Sequence, residues 1–141
     1  MISNKRIRNM NAGEIELNVH KVEDKMFFGY EKTDVGDTTV FISNSEKTLI
    51  DCIYFSDIVY LGEIKKFIEV MKNKLDLEKI KRYLRKIYNL SLNKRTGYLL
   101  ELCGLDTGKI KINNKYTRLN KNLEKKGELN KKWKIIVNER L

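Results

Sequence analysis

The sequence predicts an α+β fold, in which a small antiparallel sheet packs against a cluster of about four helices. Three observations predict this class. Residues 14–42 have the composition of strands and turns, and at their start apolar and polar side chains alternate with the period of two that is typical of strands. Residues 45–103 repeat apolar side chains at helical spacing between capping residues. With 141 residues, 41% of them hydrophobic, residues 1–141 are expected to form a single domain with one core.

The strands follow from the alternation. Ile15, Leu17 and Val19 alternate with polar residues, and further strands are predicted at residues 26–30 and 38–42. Turn-forming residues separate these segments, so we expect an antiparallel meander.

Four helices are predicted between residues 45 and 103. Ser43 and Glu46 have the spacing of a capping box for the first helix. Asp76 is a good N-cap for the third helix. The fourth spans about residues 92–103, and Gly104 stands where a left-handed residue commonly ends a helix.

The fourth helix and the C-terminal region predict long-range contacts. Gly97 lies inside the helix, where glycine costs about 1 kcal/mol relative to alanine, so we expect another backbone to approach closely there. Residues 133–137, which begin with the only tryptophan, are the clearest strand of the C-terminal half and are predicted to join the N-terminal sheet. A short strand is predicted at residues 109–112.

A polar network is predicted between the first and fourth helices. Its members are Glu46, Asp51, Arg95 and Glu101. Two interpretations stay open: an ion-pair set that holds the domain together, and a charged recognition patch.

Charge is unevenly distributed along the chain, whose net charge is +10. Residues 13–64 carry four lysines against eleven acidic residues, a net −7. Residues 72–95 carry nine basic residues against two acidic ones, and residues 109–141 carry eleven against three, which give +7 and +8. A basic surface of this size attracts nucleic acid through counterion release. The alternatives are a solvated lysine-rich surface, and contact between acidic and basic halves within one chain or between copies.

The composition disfavours several functional classes. No apolar run approaches the roughly 20 residues of a membrane helix, and the N-terminus lacks a secretory signal, so we expect a cytoplasmic protein without membrane contact. Cys52 and Cys103 are predicted to be buried, reduced thiols. His20 is the only histidine and lies in a strand-like segment, so no metal or other cofactor is expected.

A weak nuclease motif is also present. Glu63 and Lys65 match the E-x-K element of a nuclease fold, with Asp51 or Asp57 as the upstream carboxylate for Mg²⁺. In those folds the element lies on a strand, whereas here it begins an amphipathic helix. We therefore expect no enzymatic activity, and a Mg²⁺-dependent nuclease remains an alternative.

An ordered set of motifs extends over residues 15–140. The motifs are EKTLIDC at 46–52, GE at 62–63, a long helix at 77–88, RTGYLLE at 95–101 and WKIIVN at 133–138. In this order they resemble the C-terminal domain of AbiEi-type antitoxins, from abortive-infection toxin–antitoxin systems of type IV. The resemblance implies a domain that counters a nucleotidyltransferase-type toxin without a stable complex and takes part in transcriptional regulation. Members also carry an N-terminal winged helix-turn-helix, which is absent here, so operator recognition is not expected.

The functional basic surface is predicted on the outer faces of the third and fourth helices. Its residues are Arg82, Arg85, Lys86, Lys94 and Arg95. DNA or RNA is the expected ligand of this surface. The alternative function is a nucleic-acid-binding regulator domain without a toxin partner, and the sequence does not specify the oligomeric state.

Overall fold

Short strands of the first unit, Met1–Ile42, pair two by two. The chain is represented by a computed structural model that describes residues 2–3 and 5–141, without the side chains of residues 12, 15, 17, 35 and 38. The strands are β1 (Ile2–Ser3), β2 (Met10–Ala12), β3 (Ile15–Leu17), β4 (His20–Lys21), β5 (Tyr30–Val35) and β6 (Thr38–Ser43). β1 lies parallel to β4, β2 forms an antiparallel hairpin with β3, and β5 pairs with β6. The predicted single meander is therefore wrong, because the described strands form separate pairs.

The predicted strand at residues 26–30 is also largely wrong. Residues Asp24–Met26 form a turn of 3₁₀ helix, in which Met26 N donates to the Glu23 carbonyl at 2.8 Å, and β5 begins only at Tyr30. This turn buries Met26. The predicted turn before β6 is confirmed, with Gly36 at a φ of +58°. The side chains of Ile15 and Leu17, on which the alternation depended, lie outside the described residues.

Four helices form the first part of the second unit, Ser43–Leu141, as predicted. They are α1 (Ser45–Tyr54), α2 (Leu61–Met71), α3 (Leu77–Ile87) and α4 (Leu90–Leu102). Helix α1 lies in the middle and packs against the other three, with Leu49, Ile50 and Ile53 buried in the core. Within the described part of the chain, no helix has the length and apolar character needed to cross a membrane.

Polar side chains define where three of the helices begin, and in α4 the cap is Asn89, which accepts a hydrogen bond from Leu92 N at 3.0 Å. Asn44 caps α1, one residue after the predicted Ser43. The predicted capping box is wrong because Glu46 binds elsewhere: its carboxylate accepts from Asp76 N at 3.1 Å and pairs with Lys79 Nζ at 2.9 Å. Asp76 caps α3, as predicted, by accepting a hydrogen bond from Lys79 N at 2.9 Å. Glu46 thus joins α1 to the first turn of α3, where a carboxylate also interacts favourably with the helix dipole.

The C-terminal region forms a sheet of its own. Strand β9 (Ile135–Val137) lies between β7 (Thr117–Arg118), to which it is parallel, and β8 (Glu128–Asn130), to which it is antiparallel. The predicted pairing of this strand with the N-terminal sheet is wrong, because β7 and β8 occupy both of its edges. No strand is assigned at the described residues 109–112, where one was predicted. The α+β class itself, small sheets with four helices, is confirmed.

The indole ring of Trp133 lies directly on Gly97. A Cβ atom at position 97 would overlap the ring, and Trp133 is only 3% exposed. The indole Nε1 donates a hydrogen bond to Glu101 Oε2 at 2.8 Å, one turn further along α4. A side chain therefore fills the space in which a backbone was predicted. Gly127 does face a backbone, because a Cβ there would overlap the carbonyl of Val137.

Gly97→Ala tests this contact. The added methyl group has to displace the Trp133 ring, so we expect a loss of about 1–3 kcal/mol in the free energy of unfolding, despite the better helix propensity of alanine. Chemical denaturation followed by Trp133 fluorescence measures the loss. Gly62→Ala is the matched control, because Gly62 is also helical and has no atom within 4 Å of the new Cβ. It should stabilise the protein by up to about 1 kcal/mol. Equal effects of the two substitutions would contradict the contact.

Glu46→Gln tests the link between α1 and α3. Burial alone would raise the pKa of Glu46, but the hydrogen bonds from Lys79 and from the Asp76 backbone outweigh it and lower the pKa below its ordinary value of 4.5. A lowered folded-state pKa means that the ionised carboxylate stabilises the fold above pH 4.5 and that this stability is lost as the pH falls through the folded-state pKa.

We therefore expect Glu46→Gln to cost about 1–3 kcal/mol near neutral pH, and the cost to shrink steadily below pH 4.5. Denaturation at a series of pH values measures it. Glu63→Gln removes an exposed carboxylate paired with Lys66 and serves as the control, with an expected effect within about 0.5 kcal/mol. A cost for Glu46→Gln that stays constant with pH would contradict the assignment.

Candidate nucleic-acid interface

Helix α3 presents one apolar and one basic face. Ile80, Leu84 and Ile87 recur at helical spacing and are buried, so the helix is fixed against the core by one stripe. Cations occupy much of the opposite side, which we call the α3 basic face. Its members are Lys81, Arg82, Arg85 and Lys86. Two of these cations stand in the last turn, where positive charge complements the helix dipole.

The cations of the α3 basic face differ in how they are bound. Arg82, Arg85 and Lys86 are exposed, whereas Lys81 is partly buried and pairs with Glu78. In residues 2–3 and 5–141, the guanidinium groups of Arg82 and Arg85 have neither an ion-pair nor a hydrogen-bond partner. Both forks are thus available for bidentate contacts with phosphate or carboxylate. That these residues carry a function remains a prediction.

Lys94 does not belong to an outer face. It is 1% exposed, and its Nζ donates to Asn113 Oδ1 at 2.6 Å and to the backbone carbonyl of Lys115. Burial, with the nearby charges of Arg95 and Lys115, lowers the pKa of Lys94. The prediction that this lysine forms part of an exposed surface is therefore wrong.

Arg95 is likewise an internal group, at 8% exposed. Its Nε donates to the carbonyl oxygens of Arg118, at 2.9 Å, and of Leu119, at 3.1 Å. Burial lowers the pKa of Arg95 to about 10, with a further contribution from the charge of Arg118. The predicted basic outer face of α4 is wrong because residues 92–97 are all buried. The cationic side chains of Lys94 and Arg95 donate hydrogen bonds to the chain segment that covers the helix.

The predicted network between α1 and α4 does not form, because its four members bind different elements. Glu46 binds the start of α3, Asp51 pairs with Lys47 one turn back in α1, and Arg95 binds the segment that ends β7. Glu101 binds the indole Nε1 and pairs with Lys132. Burial raises the pKa of Asp51 despite its lysine partner. These contacts favour the structural interpretation of the four residues over a recognition patch.

A pocket opens between α3, the start of α4 and residues 109–111. Its volume is about 370 Å³, and we call it the α3–α4 pocket. Apolar atoms of Leu84 and Ile110 contribute to its lining. The polar lining residues are Lys81, Arg85, Tyr88, Asn93, Lys109 and Lys111. The α3 basic face is therefore continuous with the pocket through Lys81 and Arg85.

Asn93 is the buried polar group of this pocket. It is 5% exposed, and its Nδ2 donates to the Lys111 carbonyl at 2.8 Å. Its Oδ1 has no hydrogen-bond partner among the described residues. A buried acceptor without a partner costs about 1–3 kcal/mol, so the fold retains an unsatisfied group at this place.

Tyr88 borders the pocket because of its backbone conformation. It ends α3 with φ +54°, in the left-handed region, and its side chain is 65% exposed, although the apolar pattern predicts it to face inward. Lys111 Nζ lies 5.0 Å from the ring centroid, within cation–π distance. The sequence did not predict Tyr88, Asn93, Lys109 or Lys111 as site residues, and only the lysines carried a signal, as part of the basic C-terminal third.

The carboxylates of the nuclease motif are dispersed. Glu63 lies in the first turn of α2, as predicted, and pairs with Lys66 at 2.9 Å. Asp51 and Asp57 pair with different lysines, one in α1 and one beyond β7. Within the described part of the chain, no group of three or more histidine, cysteine, aspartate or glutamate side chains is placed to hold a metal ion.

The two cysteines are free thiols in different elements. Cys52 and Cys103 are half-buried rather than fully buried as predicted. Burial raises the pKa of both thiols, and the charges of Asp51 and of Glu69 raise them further. Both thiols are therefore protonated and weakly nucleophilic near neutral pH.

The geometry thus offers an exposed set of arginines and lysines on α3 that leads into a pocket with a basic rim. Comparison of the chain with protein-family models, with curated proteins and with solved structures finds no match. The function is therefore inferred from the chain's own residues and contacts.

Proposed function

We propose that this chain is an antitoxin domain of an abortive-infection toxin–antitoxin system, which counters a nucleotidyltransferase-type toxin in the cytoplasm. It acts without catalysis, and it does so through nucleic-acid contacts made by the α3 basic face. Phosphate contacts of this kind also suit a contribution to transcriptional regulation. The proposal combines the motif order described above with the charge distribution of α3.

The observation that carries the proposal is the contact between the RTGYLLE motif and the terminal tryptophan. Gly97 and Glu101 of the motif receive the ring and the Nε1 of Trp133, while Arg95 holds the chain at the end of β7. Glu46 of the EKTLIDC motif binds the start of α3. Two of these motifs are therefore joined to other motifs of the set, RTGYLLE to the terminal tryptophan and EKTLIDC to the long helix, whereas Glu63 of the GE motif pairs with Lys66 in its own helix. This supports a shared scaffold with antitoxin domains.

Recognition is assigned to exposed residues whose side chains do not hold the fold together. Arg82 and Arg85 project from α3 without an ion-pair partner in the described chain. Arginine forks bind phosphate through two parallel hydrogen bonds, and contacts of this kind release counterions from nucleic acid. The affinity therefore follows from phosphate contacts and does not depend on base sequence.

Charge reversal of the α3 basic face tests the proposal in cells. The variant Arg82→Glu, Arg85→Glu, Lys86→Glu should fail to restore growth when the adjacent nucleotidyltransferase-type toxin is co-expressed, whereas the wild type restores it. The control reverses three exposed lysines in the C-terminal region, Lys125, Lys126 and Lys131, which changes the net charge by the same amount. Rescue by the α3 variant would remove this face from the mechanism.

The same variants should differ in how steeply their affinity for a nucleic-acid duplex falls as the salt concentration is raised. The logarithm of the binding constant falls by about 0.9 per phosphate contact for each logarithmic unit of salt. Loss of three contacts should therefore reduce the slope by about two to three in the α3 variant, and by less in the control. Fluorescence anisotropy at several salt concentrations measures the slopes. A wild-type slope near zero would contradict phosphate binding.

A nucleic-acid-binding regulator without a toxin partner is the second candidate. The same unpartnered Arg82 and Arg85 favour it, since phosphate contacts alone would account for them. The two candidates differ in the growth experiment. Salt-dependent binding by a wild-type chain that gives no rescue supports the regulator, whereas rescue that depends on α3 supports the antitoxin.

A further inference from the structure

We propose that the α3–α4 pocket is a binding site for a phosphate monoester, the singly esterified phosphate group of a small molecule or of a nucleic-acid end. The phosphate group lies among the cations of the rim, and the organic group lies against the apolar lining. This site goes beyond the proposed function, which uses the phosphodiester groups of a nucleic-acid backbone on the outside of α3. The two can therefore succeed or fail separately.

The cations of the rim come from two elements that the fold brings together. Two of them lie one turn apart on α3 and two lie on the segment after α4, in the order Lys81, Arg85, Lys109 and Lys111. A Cβ atom at Gly108 would stand 3.8 Å from Lys81 Nζ, so the ammonium group of Lys81 reaches the start of that segment. Like charges at this helical spacing repel each other, as do cations that face the same cavity. A bound anion offsets this repulsion.

The chain itself neutralises little of this charge. Lys81 pairs with a carboxylate of its own helix, and Lys111 Nζ donates to the neutral hydroxyl of Tyr88 at 3.4 Å. Within residues 2–3 and 5–141, the side chains of Arg85 and Lys109 have neither an ion-pair nor a hydrogen-bond partner. Most of the positive charge at the rim is therefore left for a ligand.

The charge and the shape of the pocket favour a monoester over a diester. A phosphate monoester carries about −1.5 to −2 charges near neutral pH and three free acceptor oxygens, whereas a diester carries one charge and two such oxygens. The diester also has a substituent on each side, which a pocket of about 370 Å³ accommodates less readily than a terminal group. The guanidinium fork of Arg85 fits two oxygens of one phosphate, and ammonium groups bind the third.

The backbone of the rim is already fixed without a ligand. Asn93 Nδ2 donates to the Lys111 carbonyl at 2.8 Å, so α4 holds the segment after it. Gly108, at a φ of +60°, donates its N–H to Asp106 Oδ1 at 2.9 Å in the turn that precedes Lys109. A backbone that is already ordered loses little conformational freedom when a ligand binds. Asn93 is thus a positioning residue, which acts through the rim and makes no contact with the ligand.

The apolar lining contacts the organic group of the ester without specifying it. Leu84 and Ile110 contribute apolar atoms, and the ring of Tyr88, at 65% exposure, forms the edge. The Tyr88 hydroxyl is bound to Lys111, and the Asn93 side chain is buried beneath the lining. We therefore expect small monoesters with different organic groups to bind with similar affinity.

Titration of the ¹⁵N-labelled chain with methyl phosphate and dimethyl phosphate at constant ionic strength tests the site. The two probes differ in one charge and one free oxygen. Methyl phosphate should shift the amide signals of residues 81–88 and 108–111 in a saturable manner, and it should bind about tenfold more tightly than dimethyl phosphate. Equal affinity for the two probes, or shifts spread over lysines elsewhere in the chain, would overturn the proposal.

Substitutions in the rim test which cations bind the probe. Arg85→Gln and Lys109→Gln should each weaken methyl phosphate binding by about three- to tenfold, because each removes a charge-assisted hydrogen bond. Arg140→Gln is the matched control, since it removes the same charge from an exposed arginine outside the lining. Its affinity should stay within about twofold of the wild type. All three side chains are exposed, and amide spectra check that the variants fold. Equal weakening by Arg140→Gln would show attraction to net charge alone and would overturn the site.

Ribose 5-phosphate and a single-stranded oligonucleotide, with and without a 5′-phosphate, identify the source of the monoester. An oligonucleotide that gains affinity from its 5′-phosphate and binds more tightly than ribose 5-phosphate indicates a nucleic-acid end. Ribose 5-phosphate that binds as tightly as the phosphorylated oligonucleotide indicates a free phosphorylated molecule. Either result supports the site. Binding of the oligonucleotide that ignores the 5′-phosphate, together with ribose 5-phosphate that does not bind, would overturn it.

Duplex binding tests the proposed function independently of the site. Salt-dependent affinity for a duplex with 5′-hydroxyl ends, without any shifts from methyl phosphate, would overturn the site and leave the α3 contacts intact. Methyl phosphate binding in the pocket, with duplex binding that does not respond to salt, would support the site and overturn the α3 contacts.

Discussion

The packing of Trp133 on Gly97 is the contact on which the rest of the second unit depends. Trp133 lies two residues before the start of β9, so the ring fixes the central strand of the C-terminal sheet against α4. Burial of a tryptophan removes about 150–250 Å² from water, which at about 25 cal/mol per Å² is worth roughly 4–6 kcal/mol as an upper estimate. Only a helical residue without a Cβ leaves room for the ring at this height of α4. The hydrogen bond from Nε1 to Glu101 then fixes the ring's orientation.

The placement of β9 determines which polar groups of α4 become internal. β7 pairs with β9, and the carbonyl oxygens of Arg118 and Leu119, at the end of β7, accept from Arg95. Lys94 binds the segment that leads into β7. Two of the chain's cations thus act as hydrogen-bond donors to covering backbone. The net charge of the second half therefore overstates how much positive charge lies on the surface. The positions of the exposed arginines on α3 indicate a binding surface better than the net charge does.

Signals that are local in the sequence predicted the helices well, whereas contacts between residues far apart in the sequence were not predictable. Asp76 as a cap and Gly104, at φ +81°, follow from preferences of single residues. The partners of β9 and the neighbour of Gly97 depend on residues that are far apart in sequence. In the site, the exposure of Arg82 followed from helical periodicity. The burial of Lys94 did not, because periodicity cannot show which chain segment later covers a helix. The pocket also depended on a left-handed residue and on a segment without regular structure.

The hydrogen bonds from α4 to residues 113–119 limit how far the length of this segment can change. Much of this segment lacks regular secondary structure, and segments of that kind usually tolerate inserted or deleted residues. Here Lys94 and Arg95, adjacent on one helix, each hold carbonyl oxygens at set places along the segment. One added or missing residue between those places would put the carbonyl groups out of reach of their donors. The spacing from Lys115 to Arg118 is thus as constrained as the register of a paired strand.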